Sequence, residues 1–174
     1  MAEPEPTDWA YAAGFVDGEG CIAVVRSFKP RSGRYVYGVN VVVSNNDRAV
    51  LEWMQAMWSG WVVVVPGRQG KSRENWSWRT SSLKAQPFLA GIKPWLKIKQ
   101  RQCENALAMI DLLQVGRRAF GPYPLPQALL EQQEKHYWIQ RELNHRGTDE
   151  FVQKAMHSPR KIHRARLSSG LRFL

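Results

Sequence analysis

Asp17 and Glu19, each followed by a glycine, are the acidic pair in this chain that is best placed to do chemistry. They end a run of small and apolar residues that predicts a helix from Trp9 to about Asp17. Carboxylates at the C-terminus of a helix oppose its dipole, at a cost of about 0.3–1 kcal/mol each. A hard divalent cation such as Mg²⁺ would reverse that cost, because it prefers oxygen ligands. The alternative is an ordinary helix end that carries incidental acids.

One face of the same helix is lined by very small side chains. Ala10, Ala13, Gly14 and Asp17 fall at positions i, i+3, i+4 and i+7, so they share that face. All but the last have almost no side chain. The helix therefore offers a face that another backbone could approach closely.

The remaining pattern predicts an α+β fold with the element order α-β-β-α-β-β-α, followed by further helices. Two hairpins separated by helices favour one antiparallel sheet with helices packed on one of its faces. Helices are expected at 9–17, 46–58, 82–90, 96–114 and 126–143, and strands at 21–29, 34–44, 61–66 and 74–80. We divide the chain into an acidic, Pro-containing N-terminal segment (1–7), a single domain (8–145) and a basic C-terminal tail (146–174).

The face of the sheet away from the helices is predicted to be polar and basic. Its positions alternate with those assigned to the core, and Trp76 and Trp78 fall on the core side. A twisted β surface edged with cations fits the major groove of DNA. The alternative is an ordinary solvated sheet face. The candidate DNA-binding residues are Ser27, Lys29, Arg31, Arg34, Asn40, Ser44, Arg68, Arg73, Asn75, Ser77 and Arg79.

The net charge of +10 is concentrated in two regions. Residues 21–101 contain fourteen bases and three acids, and residues 151–174 contain six bases and no acid. Such regions favour a polyanion as partner, and a protein with a high pI for other reasons is the alternative. The basic segments do not form an amphipathic helix with a broad apolar face, which argues against a membrane surface.

Cysteine usage and the N-terminus favour a reducing, intracellular compartment, such as a bacterial cytoplasm or an organelle matrix. Cys21 and Cys103 have neither a C-x-x-C pairing nor metal-ligand spacing, which excludes a disulfide scaffold and a zinc finger. The acidic start of the chain is unlike a secretory signal. The longest apolar run, 61–65, is far too short to span a bilayer.

Residues 12–20 read Ala-Ala-Gly-Phe-Val-Asp-Gly-Glu-Gly, which resembles the signature helix of the LAGLIDADG homing endonucleases. The predicted order of helices and strands is also that family's. Residues 93–102, with Pro94 and Lys99, resemble the family segment that enters a helix and supplies a basic active-site lysine. The resemblance covers about residues 8–114. One departure is Glu19, because the family most often has Asp at this position.

The resemblance implies a site-specific DNA endonuclease that makes a metal-dependent double-strand cut in a long, partly palindromic target. It implies that Glu19 and the carbonyl of Gly18 bind Mg²⁺, with Mn²⁺ or Ca²⁺ as other occupants. Lys99 would stabilise charge or help to activate water, and the alternative is one more exposed lysine. Asn45 and Arg48 are the nearest candidates for the polar and basic residues that the family places after its second strand, in an ambiguous register.

A single motif in this family implies a homodimer whose signature helices pack against each other across a two-fold axis. Ala10, Ala13, Gly14 and Asp17 are then expected to form the dimer interface, which brings two copies of Glu19 together. Asp17 is expected to cap or stabilise the helix end as well as the dimer contact. Residues 89–92, Leu-Ala-Gly-Ile, nearly copy the first half of the motif, but they lack the acid pair and are interpreted as a coincidence.

Two other functions remain open on the same fold. One is an RNA-binding maturase that would bind its host intron RNA. The other is a DNA-binding regulator that has lost cleavage. The presence of both Glu19 and Lys99 argues against that loss.

Overall fold

The computed structural model describes residues 3–65, 75–120 and 124–145. The order of helices and strands is the predicted one. The elements are α1 (Pro6–Glu19), β1 (Gly20–Lys29), β2 (Arg34–Asn45), α2 (Arg48–Trp58), β3 (Trp61–Val65), β4 (Asn75–Ser81), α3 (Gln86–Ile92), α4 (Gln100–Phe120) and α5 (Gln127–Asn144). Short 3-10 turns occupy 30–32, 82–85 and 93–95.

Three helices differ from the prediction by three residues or more at one end at least. Helix α1 begins at Pro6, inside the predicted N-terminal segment, because Glu5 and Asp8 cap it reciprocally. The helix expected at 82–90 is a 3-10 turn followed by α3. The helix expected at 96–114 begins only at Gln100 and runs to Phe120.

In the described part of the chain, four strands form one antiparallel sheet in the order β1-β2-β4-β3. Gly20 pairs with Val43, and Val43 also pairs with Trp78 on the other side. Directly opposed residues in an antiparallel sheet share a face, so this register assigns alternate positions to the core. The buried apolar positions on the core face of the described strands are Ile22, Val24, Val39, Val41, Val43 and Trp78. The predicted faces of the strands are therefore confirmed.

The core lies between this face of the sheet and helices α1 to α4. Ala12, Ala13 and Val16 of α1 are fully buried there. The Trp78 ring packs edge-on against Phe88 of α3, with centroids 4.8 Å apart. The Trp78 indole N–H donates to the carbonyl of Ser59 at 2.7 Å, which satisfies its polar group inside the core.

Helix α5 covers the outer edge of β1. The side-chain amides of Gln140 and Asn144 both donate to the carbonyl of Ile22, at 2.7 and 2.8 Å. Asn105 of α4 donates to Gln140 at 2.8 Å, which joins the two helices. An edge strand with open carbonyls invites pairing with other chains, so α5 protects this edge.

Among the described helices, none combines the length and the apolar character that a membrane span requires.

Candidate active site and nucleic-acid face

The end of α1 is bound to the segment that leads into α4 through one carboxylate. Asp17 accepts hydrogen bonds from the backbone N–H groups of Lys97 at 2.7 Å, Ile98 at 3.1 Å and Lys99 at 2.9 Å. The Lys99 carbonyl accepts from the Cys103 amide at 3.0 Å, so these donors immediately precede the first turn of α4. An anion at this end of a helix is stabilised by the helix dipole.

The side chain of Lys99 in turn contacts the end of α1. Its Nζ donates to the carbonyl of Val16 at 3.0 Å and to the carbonyl of Asp17. These carbonyls belong to the last turn of α1, where a cation is favoured. The Asp17 carboxylate therefore stabilises the N-terminal end of α4, and the Lys99 ammonium stabilises the C-terminal end of α1. The dipole cost predicted for Asp17 is relieved by α4 within the chain, without a metal ion.

This contact gives Asp17 a role within its own chain. Both carboxylate oxygens of Asp17 accept hydrogen bonds from backbone amides of residues 97–99. Its place at a dimer interface stays a prediction. The sequence does not show the contact, because its partners lie about 80 residues apart. The signal that could have found it was the unexplained acid at a helix C-terminus.

Glu19 is the last residue of α1, and its side chain is exposed. The neighbouring Gly18 is also exposed, and an added Cβ there would meet no atom within 4 Å. Gly20 differs, since a Cβ at that position would lie 2.7 Å from the carbonyl oxygen of Val16. Glycine at position 20 thus lets the chain pass directly from α1 into β1. That junction leaves the Glu19 carboxylate outside the core, open to a ligand.

The donor chemistry at this junction suits a hard divalent cation, but one chain supplies it incompletely. Among the described residues, no group of three His, Cys, Asp or Glu side chains is placed to hold a metal ion. Glu19 and the Gly18 carbonyl offer oxygen ligands, whereas Asp17 is engaged by three amides. Mg²⁺ and Ca²⁺ prefer six or more oxygen ligands, some of which are water. The described residues of one chain do not supply that number, so water or another molecule would have to supply the rest.

Asn45 and Arg48 lie at the same end of the sheet as Glu19, because Gly20 pairs with Val43 near the end of β2. The Asn45 side chain accepts from the Asp47 amide at 2.8 Å, and Asp47 caps α2 through the Ala49 amide at 2.9 Å. Arg48 forms an ion pair with Glu52 at 2.6 Å. Its guanidinium lies 4.5 Å from the centroid of the Trp76 ring. Both residues are thus held at the start of α2, near the candidate site.

The open face of α1 differs from the predicted stripe. Ala13 is fully buried in the core of its own chain, and Ala10 is partly buried. Gly14 is exposed, as predicted, together with Gly18 and with Tyr11, whose exposed fraction is 57%. The helix is turned so that Ala12, Ala13 and Val16 pack inward. Tyr11, Gly14 and Gly18 form the face that remains open, and we call it the α1 face.

The predicted DNA-binding residues lie on the face of the sheet opposite the helices, as far as the structure describes them. Ser27, Lys29 and Arg31 are exposed towards the tip of the β1–β2 hairpin, and Arg34, Asn40, Ser44, Asn75 and Arg79 are partly exposed. Gly33 turns the hairpin with a φ of 64°, a conformation that favours glycine. Arg68, Arg73 and the basic tail lie outside the described residues.

Ser77 is a correction within that set. It is on the outer face but only 1% exposed, and its hydroxyl lies 2.7 Å from that of Ser44 on the neighbouring strand. A side chain this buried cannot reach a base edge. The Nε of Arg79 is also buried, and it has no hydrogen-bond partner among the residues that the structure describes.

No protein-family model and no curated protein matches this sequence. Solved structures do match. The homing endonuclease I-CvuI, in complex with its target, aligns with 87% of this chain and 93% of its own, at a TM-score of 0.65 and 19% identity. The archaeal intron-encoded homing endonuclease I-Vdi141I, complexed with DNA, aligns over 89% and 100%, at a TM-score of 0.65 and 16% identity.

A third structure, I-SmaMI bound to an uncleaved DNA target with calcium ions, aligns with 88% of this chain but 49% of its own. The TM-score is 0.57 and the identity is 18%. This chain therefore spans about half the length of I-SmaMI. At these identities the likeness establishes the fold. The predicted architecture is thus confirmed: the chain has the α+β fold of homing endonucleases.

Proposed function

We propose that this chain is a site-specific DNA endonuclease that acts as a homodimer. It would use Mg²⁺ to hydrolyse one phosphodiester in each strand of a long, partly palindromic target. The observation that carries the proposal is the exposed Glu19 at the α1–β1 junction, with the Lys99 ammonium held against the last turn of the same helix. An acid and a cation at the same helix end suit phosphoryl chemistry.

The outer face of the sheet supports DNA as the substrate. Four twisted antiparallel strands present polar side chains there, and exposed Lys29 and Arg31 lie at one hairpin end. A β surface of this kind fits the major groove, where each base pair shows a distinct pattern of donors and acceptors. The excess of positive charge in residues 21–101 suits the phosphate backbone. The DNA complexes of I-CvuI and I-Vdi141I, which share the fold, add support.

A homodimer would complete the metal site. One chain offers a single exposed carboxylate at the junction, and the glycines of the α1 face let a second helix approach closely. This chain aligns with about half of I-SmaMI, so two copies together would correspond to the full length of that protein. Two Glu19 carboxylates brought together could not both stay charged without a cation between them.

Glu19 and the Gly18 carbonyl would hold the metal, and a bound Mg²⁺ would supply an activated water and stabilise charge on the phosphate. Lys99 would place a fixed positive charge beside that phosphate. Asn45 and Arg48, at the start of α2, would orient the DNA backbone at the same end of the sheet. The chain's own groups therefore position and stabilise, and none has to form a covalent intermediate.

The test uses plasmids in which the two stretches of DNA that flank the reading frame are joined directly to each other, and the reading frame itself is left out. We expect Mg²⁺-dependent linear product with the wild-type protein. Glu19→Gln should lose cleavage by about 100-fold or more while it still binds the site in Ca²⁺. Glu131→Gln, an exposed acid on α5, is the matched control and should cleave normally.

Other outcomes would overturn the proposal. Equal cleavage by Glu19→Gln and the wild type would remove the acid from the mechanism. Specific binding without cutting by either protein would point to a regulator. Stimulated splicing of the host intron by Glu19→Gln, without cutting by the wild type, would point to a maturase.

A further inference from the structure

We propose that Asp17 is a positioning residue for Lys99. Its carboxylate fixes the backbone of residues 97–99, and this anchors the Lys99 ammonium at the last turn of α1, close to Glu19. The inference rests on the proposed nuclease function. It assigns to Asp17 a role that involves neither a metal ion nor a second copy of the chain.

The first support is the number and kind of donors on the carboxylate. Three successive backbone N–H groups point to one side chain, and hydrogen bonds to an ionised acceptor are the strong kind. Residues 97–99 precede α4, so their amides have no partners from a preceding helical turn. Leu96, just before them, is extended and buried. Asp17 is what turns this segment into a fixed platform.

The second support is the path of the Lys99 side chain. Its backbone amide binds the Asp17 carboxylate, and its Nζ binds the Val16 and Asp17 carbonyls. The two residues thus close a ring. A lysine side chain is long and flexible, and it holds one position only when its base is fixed. If the platform loosened, the ammonium could leave the helix end for water.

The third support is that the contact does not require DNA. Every donor and acceptor in the ring belongs to one chain, and the three residues that donate to the Asp17 carboxylate are not among those assigned to the DNA-binding face. Loss of the Asp17 charge should therefore slow cleavage and leave DNA affinity nearly unchanged. Cleavage should slow only in proteins that retain Lys99, because the loss of the Asp17 charge acts by misplacing that side chain.

The experiment is a double-mutant cycle on the full chain. Single-turnover cleavage is measured in Mg²⁺ with saturating protein, and DNA affinity is measured in Ca²⁺. Asp17→Asn should cleave about 10–100-fold more slowly with unchanged affinity. Asp17→Glu, which keeps the charge, should recover part of the rate. In a Lys99→Met background, Asp17→Asn should cost nothing further.

The matched control is Asp8→Asn, which makes the same change at the other end of α1. Asp8 caps the helix by accepting from the Glu5 amide at 2.9 Å. This variant tests whether a weaker α1 alone slows cleavage, and it should cleave normally. Additive losses for Asp17→Asn and Lys99→Met, or an equal loss in Asp8→Asn, would overturn the inference.

A second measurement keeps the inference separate from the proposed function. Amide hydrogen exchange of residues 97–99, without DNA or metal, should accelerate in Asp17→Asn and stay unchanged in Asp8→Asn. Unchanged exchange in Asp17→Asn would overturn the positioning role even if the protein cleaves. If the wild type does not cleave but exchange accelerates, the platform stands and the nuclease proposal fails.

Discussion

The indole ring of Trp9 occupies the space directly over Gly91. A Cβ at residue 91 would lie 2.3 Å from Cζ3 of Trp9, so α1 and α3 approach at a distance that only glycine permits. The run at 89–92, which looks like the beginning of a second signature helix, therefore has a packing explanation. Its glycine serves the contact between α1 and α3 within the chain.

Gly91→Ala is consequently expected to destabilise the protein. Overpacking against a bulky ring typically costs about 1–3 kcal/mol. The Trp9 ring cannot swing away freely, because it packs at a tilt against Trp58, with centroids 5.2 Å apart. Urea unfolding measures the loss. Ala90→Ser, at the exposed neighbouring position, is the control and should change stability by less than about 0.5 kcal/mol. Equal stability of Gly91→Ala and the wild type would show that this contact is loose.

Gly14→Leu should reduce self-association without unfolding the chain. Gly14 is on the α1 face, where an added Cβ would meet no described atom within 4 Å outside the neighbouring turns of its own helix. Leucine is also a better helix former than glycine, so the isolated chain should be slightly more stable. Sedimentation velocity should show a dimer for the wild type and monomer for the variant. Ala128→Leu, exposed on α5, is the control. A wild-type monomer at all concentrations, or a dimer of Gly14→Leu, would contradict the α1 face as the seam.

Arg31 and Ser77 should behave differently although the sequence predicts both to bind DNA. Arg31→Ala should weaken DNA binding and lower the slope of log K against log salt by about 0.9, the effect of one lost phosphate contact. Ser77→Ala should leave affinity unchanged and cost about 0.5–1.5 kcal/mol of stability, because its buried hydroxyl bonds only within the sheet. Arg118→Ala, exposed on α4, controls for general charge loss.

The strands and their faces could be predicted because alternation is a local property. In β2, the buried Val39, Val41 and Val43 alternate with partly exposed positions, and the predicted faces followed from that pattern. The rotation of α1 could not be predicted in the same way. Small residues occur on several of its faces, so nothing in the sequence shows whether Ala13 or Gly14 faces inward.

The candidate site was only partly visible for a different reason. Glu19 and Lys99 were found from motifs, but the contact that places Lys99 joins positions 17 and 97–99 through backbone amides. Backbone donors carry no residue signature, so such a contact leaves no trace in the sequence. The burial of Ser77 likewise depends on its neighbours across strands, since alternation identifies a face but gives no exposure.

The protein should lose stability as the pH falls into the mildly acid range, and His136 should be one cause of that loss. Burial, with a smaller contribution from Lys135, lowers the pKa of His136 below its usual value of 6.5. Its Nδ1 lies 2.7 Å from Oδ1 of Asn105, whose amide nitrogen is already used by the His136 carbonyl and by Gln140. In the neutral form of His136, Nδ1 therefore donates its proton to Oδ1 of Asn105. Addition of a second proton to the ring is not stabilised by these hydrogen bonds.

The sign of the effect follows from proton binding. Below pH 6.5 the unfolded chain takes up a proton at His136 that the folded chain refuses, so stability present above that pH is lost as the pH falls towards the folded pKa. The slope contributed by one group cannot exceed about 1.4 kcal/mol per pH unit. Urea unfolding from pH 8 to pH 5 should show a shallower decline in His136→Gln than in the wild type. His145→Gln, at an exposed position, should keep the wild-type slope, and parallel curves for all three proteins would refute this role of His136.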